Sequence, residues 1–202
     1  LSRDFIATGR DTKGRGKRTE ESLQIMSALW CEDSVNFQGD DYQLIDATIS
    51  PKPVQSPMPL WVGGSAPQAI ARTARWGTGW QAGIESAAEI KPVIEAIKVS
   101  AGALGRKIDD DHFGAGFGFR FGKQSDPIVQ KHNEVLEKRL GKDPAAYSAV
   151  GGVDEMMALV NDFHAAGAHK FILRPIASGT ADMIEQTKLL VEQLLPAIDA
   201  LN

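Results

Sequence analysis

The sequence has a single cysteine, no long apolar run and no excess of basic residues, and each shortage excludes a class of protein. Cys31 alone cannot form an internal disulfide, so a reducing cytoplasm is the expected compartment. No apolar run approaches the roughly 20 residues that span a bilayer. The net charge is −4, which is not the basic surface of a nucleic-acid-binding protein. We therefore expect a cytoplasmic protein that binds neither membranes nor nucleic acid.

Signals for a metal site or a catalytic triad are also missing. The four histidines His112, His132, His164 and His169 lack metal-ligand spacing, and we expect them on helix or loop surfaces. No Ser-His-Asp or Cys-His arrangement follows from the spacing of the residues. The densest basic stretch, residues 13–18, is interpreted as a solvated loop. The sequence thus predicts no metal site and leaves the catalytic residues unknown.

The composition is that of an ordinary globular protein. Its 202 residues are 43% hydrophobic and 24% charged, which suits one large domain or two small ones. Residues 1–59 are predicted to hold a connecting helix with its N-cap at Thr19, a small hairpin around residues 39–41 and an extended proline-rich segment. Residues 60–202 are predicted to form βα units. We interpret residues 1–202 as one partial domain, and the absence of an initiator methionine fits a processed or truncated chain.

Strands and helices alternate after residue 60, which predicts a parallel sheet with crossover helices. The predicted strands are a short buried one at residues 60–62, a weaker one at 79–82, a long one at 113–121 and a last one at 171–174. In the long strand the phenylalanines share one face, and the glycines share the other with Arg120. A closed (β/α)₈ barrel needs eight such units in about 250 residues. Four units predict half of a TIM barrel.

Helix limits follow from capping residues, glycines and prolines. Ser86 and Glu89 have the spacing of a capping box, although Pro92 would then lie inside the helix. The other expected helices are residues 67–77, a helix with its N-cap at Asp126 and its end at Gly141, one ending at Gly167, and a last one from about Thr180 to Pro196.

The strand at residues 60–62 runs through two glycines directly into a helix. Glycines let a ligand approach the backbone, and the free N–H groups of a helix N-terminus favour an anion such as phosphate. Gly63, Gly64, Ser65 and Ala66 are therefore candidate binding residues, with Ser65 adding a hydroxyl. A tight turn that needs glycine only for its backbone angles is the alternative, weighted equally. The spacing matches neither a Rossmann nor a Walker fingerprint.

Two arginines are candidate ligands for a phosphate or a substrate carboxylate. Arg120 lies on the glycine face near the C-terminal end of the long strand, and Arg174 ends the last strand. In a barrel both positions belong to the mouth, where active sites form. The alternative for each is a salt bridge at the rim. Trp80 is a third candidate, since an indole can flank a ring system, with core packing as its alternative.

Several segments resemble the luciferase-like oxidoreductases that use a flavin or a deazaflavin. Residues 51–65 resemble the family's approach to the fifth barrel strand, and residues 75–80 resemble its Arg-x-Gly-Asp-Gly-Trp element. Thr78 stands where the family usually has aspartate, which removes a carboxylate expected near the end of the sixth strand. Further similarity is found at residues 18–23, 29–30, 37–42, 167–175 and 194–196. The similarity covers nearly the whole chain and corresponds to the family's C-terminal half.

The resemblance implies a TIM barrel that binds FMN or the deazaflavin coenzyme F420 at its mouth. It places the backbone of residues 63–66 against the phosphate or ribityl tail. The implied activity is that of an oxidoreductase of the monooxygenase type, acting on a small organic substrate. Residues 105–107 and 109–114 are slightly more similar to the deazaflavin-using members. The family's ring-binding and acid–base groups come largely from the first four strands, so none is assigned to this chain.

Two other functions stay open. A half barrel has open sheet edges and apolar faces, so the chain could be a non-catalytic binding or interaction protein, or a truncated inactive fragment. For the same reason we expect association into a homo-oligomer. A different phosphate-binding α/β protein, with a sugar phosphate at Gly63 and Gly64, is the other alternative.

Overall fold

A computed structural model describes residues 2–9 and 11–199 of the chain. Residues before the main sheet form two helices, α1 (Ser2–Ala7) and α2 (Arg15–Cys31), and an antiparallel hairpin of β1 (Val35–Gln38) and β2 (Gln43–Ala47). The hairpin is confirmed with its turn at residues 39–41. Glu21 of α2 accepts hydrogen bonds of 2.8–3.1 Å from the backbone N–H groups of Asp40, Asp41 and Tyr42. The hairpin is thereby fixed to α2.

The remaining elements alternate between strand and helix, with one strand more than the four predicted and with two consecutive helices at the C-terminal end. They are β3 (Trp61–Gly63), α3 (Pro67–Trp76), β4 (Gly79–Gln81), α4 (Ala87–Ala103), β5 (Phe113–Phe121), α5 (Pro127–Leu140), β6 (Ser148–Gly151), α6 (Val153–Ala165), β7 (Lys170–Pro175), α7 (Thr180–Leu189) and α8 (Leu195–Asp199).

β3 to β7 form one parallel sheet in which β5 is the central strand. β5 pairs with β4 at Phe113 and Gly114, with β6 over residues 118–121, and with β7 over residues 114–119. Among the described residues β3 pairs only with β4. The predicted α/β class with a parallel sheet is confirmed. β6 was not expected, because four residues without an alternating pattern carry little strand signal.

The two faces of β5 differ as the alternation predicted. On one face Phe113, Phe117 and Phe119 are buried beneath the helices, and the Phe117 ring stacks on Phe163 of α6 at 5.9 Å. On the other face Trp61 of β3 lies over Gly114, where an added Cβ would be 3.1 Å from the indole, and over Gly79 of the neighbouring β4. Trp61 and Val62 are only half-buried, so the expectation of a buried first strand was wrong. β3 is an edge strand of the described sheet, which explains their exposure.

Two predicted helix limits need correction. The N-cap of α2 is Gly14, with φ of 74°, and Thr19 lies inside the helix, where its hydroxyl bonds the Arg15 carbonyl oxygen at 2.8 Å. Pro196 does not end the last helix. Residues 190–194 form a π-helical turn in which the Leu195 N–H bonds the Leu190 carbonyl, and α8 continues beyond it. The wider turn accommodates Pro196, which has no backbone N–H to donate.

The other helix limits agree with the sequence analysis. Ser86 and Glu89 form the capping box of α4, and the helix continues through Pro92 at its exposed side. Pro67 and Pro127 begin α3 and α5, and Gly77 and Gly141 follow their ends. Asp126 is the N-cap of α5 by position. Its carboxylate does not cap the helix but binds Arg120 and the Lys123 N–H.

Candidate functional site

The turn from β3 into α3 has a backbone that only glycine adopts easily. Gly64 has φ of 101°, and a Cβ there would lie 3.1 Å from the Ala69 Cβ. The indole N–H of Trp80, in β4, donates a 2.9 Å hydrogen bond to the Gly64 carbonyl oxygen. The turn is therefore rigidly placed by the core beneath it.

This turn presents unused hydrogen-bond donors. No hydrogen bond among the described residues uses the backbone N–H groups of Ser65, Ala66 or Gln68. These groups lie at the N-terminus of a ten-residue helix, where the helix dipole favours an anion. Gly63 is exposed beside them, and a Cβ there would make only an ordinary contact of 3.4 Å with the Gln81 carbonyl. The backbone at residues 63–66 is therefore open to a ligand.

A carboxylate lies next to the same turn. The Ser65 hydroxyl donates a 3.0 Å hydrogen bond to Oε1 of Glu85, in the loop after β4. The other oxygen, Oε2, is buried and has no hydrogen-bond partner within the described residues. The Ser65 hydroxyl is thus not a free donor, and an anion at the turn would feel the charge of Glu85. Sequence reasoning did not find Glu85, since it belongs to no motif.

A cavity of about 760 Å³ opens at the N-terminus of α3, between that helix and α2. Three arginines line it. Arg72 is paired with Glu20 at 3.0 Å and Arg18 with Asp41 at 3.6 Å, whereas the guanidinium of Arg15 has no ion pair or hydrogen bond among the described residues. The stretch at residues 13–18 was expected to be a solvated loop, but its last four residues form the first turn of α2. Its basic side chains add positive charge near the free N–H groups.

Trp80 is fully buried, with no exposed surface. Its ring packs in the core on the helix-covered side of the sheet, which is the core-packing alternative considered for it. The period-two pattern of a strand assigns a face only when its neighbours are known, and β4 has just three residues. Trp80 instead supports the turn through Gly64.

Arg120 already has partners on three sides. Its guanidinium bonds Asp126 at 3.2 Å, Asp182 at 3.0 Å and the Ile176 carbonyl oxygen at 2.8 Å. The Ser178 N–H, followed by Arg120, lowers the pKa of Asp182 against the opposing effect of burial. The alternative considered for Arg120, a salt bridge at the rim of the sheet, describes this arrangement.

Arg174 has a different environment. It pairs in register with Gly118 of β5 and lines a cavity of about 430 Å³ at the C-terminal ends of β5 and β7. Arg139 and His132, on one face of α5, line the same cavity. Neither guanidinium has an ion pair or a hydrogen bond within residues 2–9 and 11–199. The structure therefore separates the two candidate arginines: Arg120 is engaged and Arg174 is not.

His132 was expected on a helix surface and is instead half-buried. Its Nε2 atom is buried without a hydrogen-bond partner in the described part of the chain, 3.2 Å from where a Cβ on Gly118 would lie. Burial, followed by the charge of Arg174, lowers the pKa of His132. The sequence around a lone helical histidine does not predict that it is half-buried. The burial of His132 arises because α5 lies against the glycine face of β5.

Thr78 lies at the start of β4 and not at its end, the position that the resemblance suggested. It directly precedes β4, at the N-terminal end of the strand, and its hydroxyl bonds the backbone N–H of Leu60 at 2.7 Å. An aspartate in place of Thr78 would therefore stand at the start of the strand. Its hydroxyl joins the starts of β3 and β4 instead.

These features define a parallel α/β protein with a glycine turn at a helix N-terminus and a second, cationic cavity at the same end of the sheet. The luciferase-like monooxygenase family matches residues 2–184, and the chain belongs to that family. No helix in the described ranges is long and apolar enough to cross a membrane. No group of three or more potential metal ligands occurs among those residues.

Curated relatives share about a third of the residues in their matched segments. An F420-dependent glucose-6-phosphate dehydrogenase from Amycolatopsis mediterranei is 32% identical over 112 residues, which are 53% of this chain and 33% of that protein. An FMNH₂-dependent dimethylsulfone monooxygenase from Pseudomonas putida is 32% identical over 95 residues, 46% of this chain and 26% of that protein. The chain thus matches only part of the length of these relatives.

Solved structures share the fold over nearly the whole chain. An F420-dependent secondary alcohol dehydrogenase, in complex with an F420–acetone adduct, superimposes with a TM-score of 0.76 at 19% identity, covering 94% of this chain and 64% of that one. A monooxygenase from Streptomyces bottropensis gives 0.78 at 20% identity, with 98% and 66% covered. At these identities the likeness is one of fold.

Proposed function

We propose that this chain is part of an oxidoreductase that uses F420 or reduced FMN to act on a small organic substrate. Membership of the luciferase-like family supports the class of reaction, and relatives of both cofactor types support the two coenzymes. Several of the matched relatives are F420-dependent, which agrees with the slightly greater similarity of residues 105–107 and 109–114 to the deazaflavin-using members. When bound, the coenzyme supplies the redox chemistry, and the protein orients it and excludes side reactions.

The observation that carries the proposal is the set of unused N–H groups at Ser65, Ala66 and Gln68 beside exposed Gly63. They fit the phosphate-bearing tail of either coenzyme, because free backbone N–H groups at a helix N-terminus bind an oxyanion. Trp80 positions this turn through Gly64, and unpaired Arg15 adds a positive charge on the side of the large cavity. In this proposal Glu85 faces a hydroxyl of the tail, since a carboxylate oxygen without a donor accepts such a bond.

We also propose that the β3–β7 sheet is the C-terminal half of a TIM barrel, with residues 1–59 as a connecting segment. The open edge of β3 and the likeness to proteins of which the chain covers 64–66% support this arrangement. The groups that act on the coenzyme ring then lie outside the sheet described. On this proposal the chain is cytoplasmic and associates into a homo-oligomer; comparing the intact mass with the elution volume tests the association.

A fluorescence titration of this chain with F420 and, separately, with FMN tests the proposal. Saturable binding of one coenzyme, weakened by Gly63→Ala, is the expected result. Binding of phosphate esters such as glucose 6-phosphate, with affinity for neither coenzyme, would favour the sugar-phosphate alternative. Binding of none of these ligands would contradict the role given to the turn and support a non-catalytic or truncated half barrel.

A further inference from the structure

The cavity between α5 and the C-terminal ends of β5 and β7 is separate from the glycine turn. It measures about 430 Å³ and is lined by residues of both secondary-structure layers: Ile84, Gly118, His132, Val135, Leu136, Arg139, Tyr147, Arg174, Pro175 and Ile176. We propose that it binds an organic monoanion with an apolar body, the carboxylate lying between His132, Arg139 and Arg174. As an assignment of substrate class, this rests on the proposed function.

The charge around the cavity is of one sign. Arg139 and Arg174 are its charged residues, and no carboxylate side chain is found in its described lining. Neither guanidinium has a partner among the described residues, whereas Arg18, Arg72 and Arg120 are all paired. Two unpaired guanidiniums facing one space repel each other, and an anion between them removes that repulsion.

His132 provides a third, uncharged donor. Its Nε2 atom is buried, has no partner within the described residues and lies over Gly118, the one position on the cavity floor without a side chain. An unmade hydrogen bond at a buried nitrogen is costly, and a ligand oxygen at this point satisfies it. The charged or titratable groups facing the ring are Arg174 from β7, Arg139 from α5 and Tyr147 before β6. The Tyr147 hydroxyl is already bonded to Glu89, whose charge is met by Lys142.

The remaining walls are apolar, which distinguishes this cavity from a site for free phosphate. Ile84, Leu136 and Ile176 form them, and Val135 is 58% exposed at the opening. Residues 132, 135, 136 and 139 recur at helical spacing, so one face of α5 presents both the cationic and the apolar contacts. An inorganic ion leaves the apolar part unfilled, while an aromatic or aliphatic carboxylate uses both.

Benzoate is a suitable probe, and benzamide is its neutral counterpart of the same shape. We expect benzoate to shift the His132 imidazole signals in ¹H–¹³C NMR spectra saturably and to raise the pH at which that ring titrates. His112, His164 and His169 serve as internal references that do not shift. Benzamide and inorganic phosphate should bind at least about tenfold more weakly, because each lacks one of the two kinds of contact.

Arg174→Gln and Arg139→Gln should each weaken benzoate binding by about tenfold or more, since each removes a charge-assisted hydrogen bond. Arg75 lies on α3 beside Trp76, outside the cavity. Arg75→Gln removes one positive charge there and should leave benzoate binding unchanged. Equal binding of benzoate and benzamide, or unchanged binding in both cavity variants, would overturn the proposal. The benzoate titration contains no coenzyme, so its outcome does not depend on whether F420 or FMN binds. If benzoate binds as expected and neither coenzyme binds, the proposed function is the part that has failed.

Discussion

The indole nitrogen of Trp80 lies 2.9 Å from the carbonyl oxygen of Gly64, so a fully buried core residue fixes the turn that precedes α3. The bond joins β4 to the loop that leaves β3. It leaves the N–H groups on the outer side of the turn free for a ligand. Core packing and the placement of the candidate site are therefore linked through one hydrogen bond.

Replacing Trp80 with phenylalanine should loosen the turn while keeping an aromatic ring in the core. We expect a loss of about 1–2 kcal/mol in the free energy of unfolding, because the Gly64 carbonyl loses its partner, and a several-fold loss in coenzyme affinity. Urea denaturation and fluorescence titration measure the two effects. Trp76→Phe removes an indole bond to Glu20 of the same 2.9 Å length and should leave affinity unchanged. Equal losses in both variants would contradict the link.

The two glycines of the turn should respond differently to alanine. Gly64→Ala should lower the free energy of unfolding by about 1–2 kcal/mol, because its φ of 101° is strained for alanine. Gly63→Ala should leave stability nearly unchanged and weaken coenzyme binding, since its methyl group would occupy exposed space where the ligand approaches. Gly102→Ala, in α4 with nothing within 4 Å of the added Cβ, is the control. Unchanged binding in Gly63→Ala would place the ligand elsewhere.

Glu85→Gln should alter binding at the turn through charge alone. The substitution preserves an acceptor for the Ser65 hydroxyl and removes a negative charge beside the N–H groups. Affinity for inorganic phosphate should rise by about threefold to tenfold, in line with roughly 1 kcal/mol of Coulomb repulsion. Equilibrium titration at low ionic strength measures the change, with Glu95→Gln on α4 as the control. A fall in phosphate affinity would show that Glu85 supports anion binding instead.

Stability should fall in acid because of Glu89. Lys142, followed by the Ser86 N–H, lowers the pKa of this carboxyl from 4.5 to about 2. A depressed pKa stabilises the folded protein above pH 4.5, and that stabilisation is lost progressively as the pH falls towards 2. The free energy of unfolding, measured by urea denaturation between pH 5 and 2, should therefore fall less in Glu89→Gln than in the unmodified chain. Glu95→Gln, exposed on the same helix, should follow the unmodified chain.

Much of the fold could be predicted because its signals are local. The limits of β5 and α5 follow from alternating phenylalanines and from Pro127 and Gly141, which act within a few residues. β6 and the π-helical turn before Pro196 could not be predicted, since the first depends on an available edge of β5 and the second on packing around the helix. Local patterns do not contain that information.

The candidate site was predictable only where backbone chemistry defines it. Gly63 and Gly64 are visible because two glycines directly before a helix indicate a tight turn with an accessible backbone. His132, Arg139 and Glu85 depend on distant contacts: α5 must lie on the glycine face before His132 meets Arg174, and β4 must end beside Ser65 before Glu85 reaches it. Arg120 is paired because Asp126 and Asp182 reach it, and Asp182 is 62 residues away in the sequence. The sequence alone therefore does not show that Arg174 is the unpaired candidate.

The alternation of phenylalanine and glycine in β5 also limits how this gene can change. A single inserted or deleted residue within the strand would turn the rings towards Trp61 and His132 and leave a void against Phe163. Insertions in the exposed loop at residues 122–125 meet no such constraint. Among natural variants of this chain, length differences should therefore accumulate after β5 and be absent within it.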